Sequence, residues 1–144
     1  MSPRRLDPSI VHARLSTIRD LLGDLAGLDD DIDLTTDRMT RHGVERILTQ
    51  LVELAASVNE HVTGARLHRA ATSYRESFVL AAECGLIGPD LRDELLPSVG
   101  LRNVLVHEYL AVDLQKVREA IPLALDGYRR YIQQCAAFVG NLDA

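Results

Sequence analysis

Residues 37–61, DRMTRHGVERILTQLVELAASVNEH, decide the fold class. Val44, Ile47, Leu48, Leu51, Leu54, Ala55 and Val58 recur at i, i+3, i+4 and i+7. That spacing puts them on one stripe of an α-helix. A strand would need alternation every second residue, which is absent. The pattern predicts a helix from about Asp37 to His61, stopping near Gly64.

The same period continues on both sides. Upstream, Asp7 can cap free N–H groups and Pro8 suits a first helical position. Val11, Leu15, Ile18, Leu22 and Leu25 then share a stripe that Gly27 ends. Downstream, Ser73-Tyr74-Arg75-Glu76 reads as a capping box opening a short helix with Phe78, Ala81 and Ala82, closed by Gly85. Pro89 opens a fourth region. Pro97 predicts a break or bend in it, because proline removes a backbone donor and clashes one turn back. A new piece is then expected from about Ser98 to Tyr109. Asp113 caps a last helix striped by Leu114, Val117, Ile121, Leu125, Tyr128, Ile132, Cys135 and Val139, with a kink predicted at Pro122. Residues 1–144 thus read as a single all-α domain, an antiparallel bundle of four to five helices with short loops. The stretch from Gly64 to Thr72 is the expected loop, made locally basic by Arg66, His68 and Arg69.

Composition narrows the function classes. The 144 residues carry a net charge of -5, which argues against a general nucleic-acid coat. Lys116 is the only lysine, so the basic residues are almost all arginines. Arginine grips phosphate with a planar fork; a one-sided codon composition produces the same bias. No apolar run reaches the ~20 residues of a membrane span. Cys84 and Cys135 lie far apart without a CxxC. The expectation is a cytoplasmic protein with reduced thiols.

Metal motifs fail on inspection. Asp29, Asp31 and Asp33 match the first EF-hand positions, but Leu34 and Thr40 stand where glycine and glutamate are required. A solvated turn is the better reading. His107-Glu108 starts like HExxH, but Ala111 replaces the second histidine.

Gly100-Leu101-Arg102-Asn103-Val104-Leu105-Val106-His107-Glu108-Tyr109 is different. It gathers Arg, Asn, His and Tyr at one predicted helix end. Asn103 and His107, four apart, share a face. Arg102 and His107, five apart, diverge by about 140°. By spacing alone, this is also how a capped helix end looks, with histidine at the negative end of the dipole and Asn103 hydrogen-bonded to His107.

At these residues the chain resembles the HepT-like members of the HEPN superfamily (higher eukaryotes and prokaryotes nucleotide-binding). Their motif is Arg, four residues, His, one residue, Tyr, here Arg102, His107 and Tyr109, with the frequent Asn directly after the Arg, here Asn103. Ser73-Tyr74-Arg75-Glu76-Ser77-Phe78, then Ala82-Glu83-Cys84-Gly85-Leu86-Ile87, are similar to the family's Tyr-x3-Phe and helix-ending glycine segments. Val112-Asp113 also fits. Pro97 departs from the pattern, since members commonly continue a helix there.

The resemblance implies a small helical ribonuclease acting as the toxin of a two-gene toxin–antitoxin system. It implies a homodimer whose motif helices meet around a shared cleft, an RNA substrate, and a minimal nucleotidyltransferase (MNT) antitoxin. That partner would transfer AMP to Tyr109. The chemistry calls for no metal or cofactor. An imidazole exchanges protons near neutral pH, so His107 serves as acid or base. Arg102 holds the phosphate and stabilises growing charge. Asn103 orients His107 or touches the phosphate. Two copies of Arg102, flanked by Arg66 and Arg69, would supply local positive potential despite the acidic total. The alternative is a non-catalytic nucleotide-binding or interaction module partnering a nucleotidyltransferase.

Overall fold

The computed structural model describes residues 5–107 and 112–143. It contains five helices: α1 Pro8–Ala26, α2 Arg38–Leu67, α3 Tyr74–Glu83, α4 Pro89–His107 and α5 Leu114–Gly140, followed by a 3-10 turn, Asn141–Asp143. Among the described residues there is no strand, and no helix is long and apolar enough to cross a membrane.

The caps act as their residue types require. Asp7 accepts from the Ser9 amide and hydroxyl, at 2.9 and 2.6 Å, and opens α1. Asp37 accepts from the Thr40 amide at 3.0 Å and opens α2. Ser73 Oγ accepts from the Glu76 amide at 3.0 Å, while Glu76 reaches back to the amide and hydroxyl of Thr72. Gly85, at φ +85°, ends the α3 turn in a left-handed conformation that glycine adopts freely. Its amide bonds the Ala82 carbonyl and the Leu86 amide bonds that of Ala81, which together satisfy two orphan acceptors. Asp29 and Asp33 fold as local side-chain turns on the surface. Hydrogen bonds from the Thr35 hydroxyl and amide hold the Asp33 carboxyl below the usual carboxylate range.

Two expectations need correction. First, α2 does not stop near Gly64 but runs to Leu67. Val62 and Thr63 are fully buried. Their packing outweighs the ~1 kcal/mol that a helical glycine costs. His68, at φ 54°, takes the left-handed cap instead, so the connection to α3 is only residues 68–73. Second, α4 passes through Pro97 without a break. Pro97 and Asp93, whose carbonyl loses its partner, both lie on the exposed face. Water can satisfy that acceptor. Meanwhile Leu91, Leu95 and Val99 bury the opposite face. The last helix runs from Leu114 to Gly140 with Pro122 inside it, which a kink without a break allows.

Helices α1, α2, α4 and α5 form an antiparallel four-helix bundle. Arg14 Nε donates to Ser57 Oγ at 2.6 Å and ties α1 to α2. The Arg118 guanidinium bonds the Ile32 carbonyl and ties the start of α5 to the chain beyond α1. An added Cβ at Gly127 would lie 2.9 Å from Leu95 Cδ2, so glycine lets α4 and α5 close there. Helix α3 follows the direction of α2, with Asn59 bonded to Ser77 and Arg69 paired with Glu83.

The core centres on Tyr131, fully buried between Phe78 and Tyr128 at ring-centroid distances of 6.3 and 6.1 Å. Its hydroxyl is shared between Asn59 Oδ1 at 2.5 Å and the Ala55 carbonyl at 2.9 Å. Ser98 gives its proton to the Leu95 carbonyl, so Tyr128 donates to Ser98 Oγ at 2.7 Å. Burial pushes the hydroxyls of Tyr128 and Tyr131 up from the ordinary 10.0, and the Cys135 thiol up from 9.0 to about 12. These groups stay neutral in the folded chain at pH values where the unfolded chain ionises. Their contribution to stability is therefore complete below about pH 9 and is lost as pH rises toward 12. Melting temperatures measured from pH 8 to 11 are expected to fall above pH 9. A flat profile would show that the three groups are accessible to hydroxide in the native state.

Candidate active site

The motif lies at the C-terminal end of α4. Its residues divide between the interior and the surface. Arg102 turns inward with a side chain only 15 % exposed. Its Nη2 donates to Glu53 Oε1 on α2 at 3.3 Å. The guanidinium carbon sits 4.6 Å from the ring centroid of Tyr74, the first residue of α3, within cation–π range. The Nη1 donates to Asn103 Oδ1 at 3.3 Å. Its Nε is buried and meets no hydrogen-bond partner among the described residues.

Asn103 and His107 are exposed, one turn apart on α4. His107 occupies the last turn, where the unpaired carbonyls gather. The expected Asn103–His107 hydrogen bond is not formed; the Asn103 oxygen takes its bond from Arg102 instead. Within one chain, then, the guanidinium is held toward α2 and α3 while the imidazole faces solvent. Tyr109, the expected modification site, lies outside the described residues.

The basic residues of the loop are elsewhere. Arg66 lies over the Phe138 ring, 5.8 Å from its centroid. Arg69 pairs with Glu83 at 2.5 Å, both half exposed. Arg66 is thirteen residues beyond Glu53 on α2, a rise of about 20 Å. Arg66 and Arg69 are therefore not brought beside Arg102 in the same chain.

Two residues in contact with the motif were not singled out from sequence. Glu53 is the only charged residue between Leu48 and Asn59. A lone carboxylate inside an apolar run, where burial without a partner is costly, was the available signal. Tyr74 is visible in the Tyr-x3-Phe segment, but nothing local ties it to Arg102.

Comparison with known proteins gives the family of the chain. A model of the family described as HepT-like, Ribonuclease HepT-like, matches residues 14–135. The tRNA nuclease HepT of Aphanizomenon flos-aquae (strain 2012/KM1/D3) is 29 % identical over 143 residues, covering 96 % of this chain and 95 % of that protein. The mRNA nuclease HepT of Shewanella oneidensis is 31 % identical over 85 residues, covering 59 % of this chain and 64 % of that protein. Among solved structures, the tri-AMPylated Shewanella oneidensis HEPN toxin in complex with MNT antitoxin aligns at a TM-score of 0.81 and 26 % identity, over 89 % of this chain and 97 % of that one. The cytosolic protein YutE of Bacillus subtilis aligns at a TM-score of 0.83 but 16 % identity, over 94 % and 92 %, and shares the fold. The matched span contains the Arg102 to Tyr109 motif and all of α2 to α4, so the chain belongs to the HepT-like family of ribonucleases.

Proposed function

We propose that this ribonuclease is the toxin of a toxin–antitoxin pair and that it cuts RNA without metal, through Arg102, Asn103 and His107. The observation that carries the reading is His107, exposed at the end of α4 beside Asn103, with the Arg102 guanidinium anchored behind them. The reaction starts at the 2′-hydroxyl, whose oxygen attacks the adjacent phosphorus as a base takes its proton. The 5′-oxygen leaves as an acid protonates it, giving a 2′,3′-cyclic phosphate and a 5′-hydroxyl. One imidazole cannot be base and acid in the same instant. A two-fold dimer with two copies of His107 across a shared cleft supplies both. Arg102 stabilises the charge growing on the phosphate. RNA reaching beyond the cleft meets Arg66 and Arg69.

An MNT-type nucleotidyltransferase is the proposed antitoxin. The Shewanella oneidensis relative, tri-AMPylated and bound to such a partner, supports this. The acceptor here would be the Tyr109 hydroxyl, two residues past His107, attacking the α-phosphate of ATP and releasing pyrophosphate. The added anionic group would repel the substrate phosphate.

A second reading has one observation in its favour. The Arg102–Glu53 ion pair and the Tyr74 stack are also what a purely structural arginine would make. The chain would then bind RNA or nucleotide without cutting it. Bulk tRNA and a messenger transcript, each incubated with the purified chain in excess chelator, separate the two. The expected result is fragments ending in cyclic phosphate from at least one RNA. Intact RNA retained by the protein would replace the first reading with the second.

A further inference from the structure

We propose that Glu53 and Tyr74 are positioning residues that hold the Arg102 guanidinium in its working orientation. The inference rests on the reading in which Arg102 acts on the phosphate. An arginine on a surface helix samples many rotamers, and ordering it when substrate arrives slows the reaction. Here that ordering is done in advance. Glu53 on α2 fixes Nη2 at 3.3 Å, and the guanidinium carbon lies over the Tyr74 ring, 4.6 Å from its centroid. Three helices thus converge on one cation.

The platform is itself anchored. The Tyr74 carbonyl accepts from Ser77 Oγ at 2.7 Å. Ser77 Oγ accepts from Asn59 at 3.3 Å, and Asn59 accepts from Tyr131 at 2.5 Å in the centre of the core. This buried polar line runs from α5 through α2 to the start of α3. The backbone that carries the Tyr74 ring beside Arg102 is thereby tied to the core.

Donor counting fits the role. A guanidinium has five N–H groups. Glu53 and Asn103 take one each, from Nη2 and Nη1, and Nε is buried. Among the described residues, one N–H on each Nη has no partner, and two such groups can donate to a phosphate. Glu53 and Tyr74 leave those two available while fixing the plane that carries them, which is how pre-organised charge stabilises a transition state.

The test compares Glu53→Gln, Tyr74→Leu, Tyr74→Phe and Arg102→Ala in full-length protein, on whichever of tRNA and messenger transcript the unaltered chain cuts. Glu53→Gln and Tyr74→Leu are each expected to lower kcat about tenfold with KM within about twofold, because placement is lost and not affinity. Tyr74→Phe keeps the ring and is expected to restore most of the rate. A merely structural role would move the melting temperature and leave kcat of the folded enzyme alone. Wild-type kcat in both Glu53→Gln and Tyr74→Leu, with Arg102→Ala inactive, overturns the positioning role only. Wild-type cleavage by Arg102→Ala overturns the catalytic reading beneath it. Tyr74→Phe as slow as Tyr74→Leu overturns the stacking. If Tyr74→Leu does not fold, Glu53→Gln, at a side chain 33 % exposed, decides the matter by itself.

Discussion

His107→Ala is expected to cut RNA about 10²–10⁴-fold more slowly while keeping its fold, the range set by losing one general acid–base group. The two halves of that expectation have separate origins. His107 is exposed at the last turn of α4 and makes no side-chain hydrogen bond among the described residues. Truncating such a residue typically changes stability by less than about 0.5 kcal/mol. Activity then responds to the missing imidazole alone. Arg102→Ala is a less clean probe, because it also strips Glu53 of its partner and Tyr74 of its cation. Rates on RNA, with circular dichroism melts of the same samples, check the expectation. Unchanged cleavage by a folded His107→Ala protein would remove His107 from the mechanism.

The second large effect is on stability. Tyr131→Ala is expected to destabilise the chain by about 4 kcal/mol, the scale of truncating a fully buried aromatic ring. Tyr131 touches both Phe78 and Tyr128 and caps the Asn59 oxygen. The loss would consume a large share of the 5–15 kcal/mol that domains of this kind possess. Tyr131→Phe keeps the ring and removes only the hydroxyl. It leaves the buried Asn59 Oδ1 without a donor, for a cost of about 1–2 kcal/mol. Urea titrations of the two variants measure the difference. Equal losses would mean that the hydroxyl, not the ring, dominates. No loss in either would refute the central place of Tyr131 in the core.

The two variants also touch the site differently. Tyr131 stands at the far end of the polar line that reaches Tyr74 through Asn59 and Ser77. Among the described residues His107 has no such connection to the interior. In the proposed mechanism the reaction chemistry is split between an imidazole on the surface and a guanidinium tied into the core. A second copy of the chain closing over the end of α4 would bring the two kinds of group together.

Much of this was legible before any coordinates. The stripes of α1 and α2, the caps at Asp7, Ser73 and Asp113, and the Gly85 stop depend on residues within one or two turns of each other. Local spacing is sufficient to read them. The motif at the end of α4 was legible for the same reason, being a run of eight residues. Helix α2 passing Gly64 and α4 passing Pro97 were not. In both cases the preference of one residue is overruled by a buried face that packs against other helices.

The amino-acid sequence alone therefore determined that this chain is all-helical, with Arg102, Asn103 and His107 on one helix end, and it carried the resemblance to the HepT-like ribonucleases. Only the tertiary structure decided which way Arg102 turns. Glu53 lies 49 positions earlier in the chain, and Tyr74 opens a different helix. A contact between residues so far apart leaves no periodic trace, because it exists only after α2, α3 and α4 have packed. It is that packing which turns one of many surface-type arginines into a cation held in place.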